Sequence, residues 1–138
     1  MVNFDESCHY KERNKADNAW NKLTGWTVGL SGKNSIRVAW RPHQQVNKVW
    51  LGAYLKEDGS RTTRGEVMDL GTYDYNQNLA ISILHGEKVI ITVYQDVSQQ
   101  ADKMFYFTKS RKPGWVQGLY FGGKNTAPHK MKITIDKQ

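Results

Sequence analysis

The chain of 138 residues holds a single cysteine, Cys8. This excludes an intrachain disulfide and any zinc site built on several cysteines. No HxH or HExxH spacing is present, and His9, His43 and His85 fall in separate turns or in the N-terminal arm, so neither a metal nor a cofactor is expected. No apolar run approaches membrane-spanning length, which argues against membrane insertion. The opening Met1-Val-Asn-Phe-Asp-Glu6 is polar and lacks the apolar stretch of a secretory leader. Two localisations follow as expectations: a protein made without a leader, such as a cytoplasmic or virion component, or a mature extracellular or cell-surface domain behind an added Met. Also missing are a serine nucleophile elbow, a phosphate-binding loop and a dinucleotide fingerprint. Glu6, Glu12, Glu57, Glu66 and Glu87 stand apart from one another, so the paired carboxylates of a glycoside hydrolase are not found. No segment carries a sustained apolar helical period, and little helix is expected.

What is present is aromatic and basic. Aromatic residues make up 12% of the chain, with five Trp and seven Tyr, against a hydrophobic total of 38%. Such rings bury large areas in sheet cores, and the polar ends of Tyr and Trp also suit binding faces. Twenty basic and 13 acidic residues leave a net charge of +7, which favours anionic partners such as acidic polysaccharide, nucleic acid or anionic lipid. The basic residues are scattered; only Lys109-Ser-Arg-Lys112 is a cluster, too short for a nucleic-acid arm.

The pattern is that of strands. Residues 5–19 are polar, an extended arm or a first strand around Cys8–Tyr10. Trp20 to Val28 reads as a strand and Ser31-Gly-Lys-Asn34 as a turn. Ile36, Val38 and Trp40 alternate with Arg37, Ala39 and Arg41 until Pro42, which is expected to end that strand. Between Asn47 and Lys56, Val49, Leu51, Ala53 and Leu55 face one way and Trp50, Gly52 and Tyr54 the other. Glu57-Asp-Gly-Ser60 predicts a hairpin turn, with Arg61 to Leu70 pairing back. Strands follow at Leu79–Ile83 and Val89–Tyr94, joined at His85-Gly86. A polar loop is expected at Val97–Asp102, and short strands at Met104–Lys109, near Trp115–Tyr120 and at Met131–Ile135. About nine short strands at regular spacing in one domain predict an all-β, two-sheet antiparallel β-sandwich.

Several stretches carry a family resemblance: Phe4-Asp-Glu-Ser-Cys-His-Tyr10, Trp20-Asn-Lys-Leu-Thr-Gly25, Asn34-Ser-Ile-Arg-Val-Ala-Trp-Arg41, and above all Tyr120-Phe-Gly-Gly followed by Ala127-Pro-His129. Together they resemble a group of small, largely uncharacterised bacterial β-sandwich proteins, similar in style to the concanavalin-like jelly-roll lectins, glucanases and polysaccharide lyases. The resemblance spans nearly the whole chain and implies a jelly-roll sandwich. It departs from the pattern at Lys130, where an acidic residue often follows the histidine, and in Thr27–Lys33, which has no histidine. A metal-binding or catalytic role at those positions in relatives is therefore not expected here.

The residues then suggest one binding chemistry. Arg37 and Arg41 share a strand face as planar forks for carboxylates or hydroxyls; the plainer reading pairs them with acids on a neighbouring strand. Trp50 and Tyr54 flank Gly52, leaving a shallow space where a pyranose ring could lie; equally, this could be a second buried face. Trp115 and Tyr120 lie beside turn residues and are expected to be exposed. His129 adjoins Gly122-Gly123 and, with Tyr120 or Tyr54, forms the candidate acid–base pair of a polysaccharide lyase in which Arg37 neutralises a uronate; the plainer reading is a histidine that locks its loop. The favoured expectation is a non-catalytic, lectin-like or adhesin-like module for an anionic glycan, contacted by Arg37, Arg41, Trp50, Tyr54, Trp115, Tyr120 and His129, with homo-oligomers adding avidity. A small lyase and a structural or assembly protein without a ligand are the alternatives. Nucleic-acid binding is less favoured, because the helices behind a ribonucleoprotein sheet are missing and the strands outnumber those of an oligonucleotide-binding barrel.

Overall fold

A computed structural model describes residues 1–15, 19–28, 33–57, 60–61, 67–85, 88–95, 98–106, 113–122 and 126–137. The Asp58-Gly59 turn, Glu66, Gly86, Gly123 and the Lys109–Lys112 cluster lie outside these residues, as does the side chain of Trp115.

Among the described residues eleven strands form two antiparallel sheets, the two-sheet β-sandwich the alternation predicts, where about nine strands were expected. One sheet has five strands: β11 (Ile133–Ile135), β1 (Val2–Phe4), β7 (Asn78–His85), β8 (Lys88–Gln95) and β9 (Ser98–Tyr106), in that order. The other has β10 (Pro113–Gln117), β2 (Asn21–Val28), β3 (Asn34–His43), β4 (Lys48–Glu57) and the two-residue β5 (Ser60–Arg61), with β6 (Met68–Tyr73) also pairing with β4. Two runs of consecutive strands, β2 to β5 and β7 to β9, pair neighbour to neighbour, as short turns allow.

The inward rows are those read from alternation. On β3 and β4 the opposed pairs Ile36–Leu55, Val38–Ala53 and Trp40–Leu51 are all buried. Val89, Ile91 and Val93 of β8 and Leu79 of β7 answer from the other sheet. Phe4 of β1 meets Trp40 of β3 with ring centroids 5.3 Å apart, joining the layers. Burial of these rows is the main stabilising term.

Four expectations change at the margins. The first strand is Val2–Phe4, not Cys8–Tyr10: Asp5 caps a 3-10 turn at Glu6–Cys8, its side chain accepting from the Ser7 N–H at 2.9 Å. Pro42 does not end β3, which continues to His43 paired with β4; β2 begins opposite Trp40, so no strand flanks Pro42 on that side to need its missing N–H. Ser98–Asp102 is the start of β9 rather than a loop; among the described residues this strand is the last in its sheet, paired with β8, and polar residues are tolerated at such an edge. The final strand is shorter than Met131–Ile135, because β1 offers only three partners, at Val2, Asn3 and Phe4.

The N-terminal arm is a clasp, not a strand. Asp5 N–H and Cys8 Sγ–H donate to the Lys132 carbonyl at 3.1 and 3.2 Å, and Lys132 N–H donates to Ser7 Oγ at 3.0 Å. Arg13 reaches the Thr126 carbonyl at 2.8 Å. The arm thereby fixes residues 126–132, which form one wall of the site described next.

Candidate functional site

An open cleft of about 400 Å³ lies beside the start of β2. Its floor is Trp40, Phe121 and Met131, and its rim carries Lys22, Tyr120, His129 and Lys130. Tyr120 and Lys22 exchange both backbone hydrogen bonds, N–H to carbonyl at 3.1 and 2.8 Å, as an isolated antiparallel bridge. This holds the Tyr120 ring where 58% of the residue is exposed, with Lys22 Nζ 4.6 Å from its centroid. Behind it, a buried polar chain secures the segment: Asn21 Nδ2 donates to Tyr10 Oη at 2.9 Å, and Gly122 N–H donates to Asn21 Oδ1 at 2.7 Å. Gly122 passes so close that a Cβ would collide with the Trp20 carbonyl, which only glycine avoids. Tyr10 and Phe121 pack with centroids 5.6 Å apart.

His129 stands on the opposite wall, its Nε2 2.6 Å from the Ser7 carbonyl oxygen. A carbonyl only accepts, so Nε2 carries the proton and that nitrogen is not a base. The histidine does lock its loop, but to the arm rather than to itself.

A second concavity, of about 310 Å³, lies on the outer face of β3 and β4 among Glu12, Arg41, His43, Gln44, Gln45 and Trp50. The register places Arg41 opposite Trp50, Ala39 opposite Gly52 and Arg37 opposite Tyr54. The Arg41 guanidinium lies 4.8 Å from the Trp20 ring and 4.6 Å from the Trp50 ring, and the two indoles meet edge to face at 5.2 Å. Trp50 Nε1–H donates to Asp69 Oδ1 at 2.8 Å, and the His43 ring packs 5.2 Å from Trp50. Desolvation draws the pKa of Arg41 below the ordinary guanidinium value, with the charge of Glu12 working the other way. Arg37 is lowered by the same cause, and its Nε–H donates to Ser35 Oγ at 3.2 Å.

The space expected over Gly52 is already filled. A Cβ there would run into Val67 and would stand 3.0 and 3.1 Å from the rim of the Trp20 indole. Tyr54 is only 2% exposed, so it is no stacking platform. The seven expected contact residues thus divide: Tyr120 and His129 share the cleft, Arg41 and Trp50 share the outer concavity, Arg37 and Tyr54 pair farther along the same strands, and the side chain of Trp115 lies outside the described residues. Lys22, Trp20 and Phe121 complete these places without having been singled out, and Lys130, noted only as a departure from the family pattern, joins the cleft. Lys130 and Phe121 adjoin expected residues in sequence, whereas the Lys22–Tyr120 bridge joins positions far apart and leaves no local signal.

Among the described residues no group of three or more His, Cys, Asp and Glu side chains is placed to hold a metal ion, and no helix is long and apolar enough to cross a membrane. No protein-family model, curated protein or solved structure matches the chain.

Proposed function

We propose that the protein is a lectin-like, carbohydrate-binding module that takes an anionic glycan in the cleft above Trp40. The observation that carries this reading is the combination, in one open concavity, of the exposed Tyr120 ring with the ammonium groups of Lys22 and Lys130. A pyranose offers an apolar C–H face to a ring and hydroxyls to polar neighbours, and a uronate adds a carboxylate that lysine recognises as a point charge. The volume is in the range of small-ligand sites. The net charge of +7 adds a long-range attraction for an acidic polymer. Contacts this open are exchanged with water, so affinity at one site is weak and a homo-oligomer would gain by avidity.

Affinity electrophoresis through gels containing a polyuronate or a neutral polysaccharide tests the reading. Retardation in the polyuronate gel at low salt, reduced by Tyr120→Ala, is the expected result. Equal mobility in every gel contradicts it. Growth of absorbance from unsaturated uronates during the same incubation would point to lyase chemistry instead.

A further inference from the structure

We propose that an acidic glycan chain held in the cleft continues onto the outer face of β2, β3 and β4, where a row of alternating rings and cations forms a second contact. The proposal rests on the cleft reading and extends it from a short sugar to an extended polymer.

Lys22 stands over Tyr120 at the cleft rim, 4.6 Å from ring centroid to Nζ. Trp20 lies just ahead of β2, two residues before Lys22. Arg41 then bridges Trp20 and Trp50 at 4.8 and 4.6 Å, and His43 closes the row 5.2 Å beyond Trp50. Lys22 and Arg41 come to one face because β2 and β3 pair with Asn21 opposite Trp40 and Lys22 opposite Ala39. Trp20 is seated on Gly52, and Trp50 is pinned through its indole N–H to Asp69, so the rings hold fixed positions. The concavity of about 310 Å³ at the far end gives the chain a place to lie.

The chemistry of the row selects the class of polymer. Its indoles are turned toward a guanidinium, so they fix where positive charge stands. Single-stranded nucleic acid needs open ring faces on which successive bases stack, and it carries a charge on every nucleotide. Glu12 on the rim opposes so dense a charge, while it tolerates a chain whose carboxylates are separated by neutral hydroxyls. Gln45 beside it suits those hydroxyls, whereas Gln44 Nε2 donates to the Tyr10 carbonyl and its Oε1 accepts from Glu12 N–H.

Isothermal titration of the whole protein with defined oligouronates, from disaccharide to octasaccharide, tests this. In the wild type, affinity is expected to rise about tenfold or more once the oligomer is long enough to reach both contacts. Trp50→Ala and Arg41→Gln should abolish that rise yet leave the disaccharide affinity unchanged; this preserved affinity also shows that each variant is folded. Tyr120→Ala should weaken every length. Length-independent binding by the wild type overturns the crossing while leaving the cleft reading intact. Absence of binding at any length overturns both. Tighter binding of oligodeoxythymidylate than of the octasaccharide overturns the proposal in favour of a nucleic-acid track.

Discussion

Tyr10→Phe removes one oxygen from a buried chain that holds the cleft wall in place. Tyr10 and Asn21 are 4% and 1% exposed, and Asn21 Nδ2 donates to Tyr10 Oη at 2.9 Å. The lost partner leaves an amide donor in a region closed to water, at a cost of about 1–3 kcal/mol. Asn21→Ala goes further: Gly122 N–H loses its acceptor at 2.7 Å, and the Tyr10 hydroxyl loses its donor. Two disrupted groups predict about 2–4 kcal/mol, and a double-mutant cycle should show strong coupling because both variants cut the same bond. Equilibrium unfolding in urea, with an unchanged slope and a lower midpoint, measures this directly. Tyr10→Phe within about 0.5 kcal/mol of the wild type would refute the claim that this chain is dry and needed.

Other consequences can be checked on the same preparations. Phe4→Ala should cost about 3–5 kcal/mol in denaturant unfolding, because Phe4 is 1% exposed and joins the sheets against Trp40; a loss below about 1.5 kcal/mol would mean that the layers do not meet there. Gly52→Ala should destabilise by about 1–3 kcal/mol and shift the tryptophan emission, because the new methyl displaces Val67 and the Trp20 indole; an unchanged spectrum and midpoint would show that Trp20 does not rest there. Burial raises Cys8 from 9.0 and Tyr73 from 10.0, each to about 12, and pushes Tyr75 upward too. Groups that hold their protons more tightly when folded contribute stability that is complete below the unfolded pKa and lost as pH rises through the folded one. Unfolding free energy should therefore fall between pH 9 and 12, by at most about 1.4 kcal/mol per pH unit for each group. Cys8→Ala should flatten the first part of that slope, and a flat profile in the wild type would contradict the burial of these groups.

The alternating runs made the sandwich legible because each inward residue of β3, β4 and β8 is also an apolar one, a period that survives any detail of pairing. Boundaries were less legible, since they depend on where a neighbouring strand begins: Pro42 stays in β3 only because β2 starts at Asn21, opposite Trp40. The site was legible residue by residue but not as a constellation. Tyr120, His129, Arg41 and Trp50 were visible as ring or charge at special places, yet the Lys22–Tyr120 bridge and the seating of Trp20 on Gly52 arise from tertiary contacts with no local pattern. Trp-x-Gly-x-Tyr reads alike for an open platform and for a covered face. The deciding residues are Val67 and Trp20, which lie just before β6 and β2 and are brought over Gly52 by tertiary structure, and the sequence-level expectation of an empty space there failed for that reason.

The most direct measurement of the central claim is a titration of the isotopically labelled protein with an oligouronate, followed by amide chemical shifts. Shifts should concentrate at Lys22, at Leu119–Phe121 and at His129–Met131, with smaller changes along Arg41 and Trp50. Changes confined to other surfaces, or none at millimolar ligand and low salt, would contradict the account.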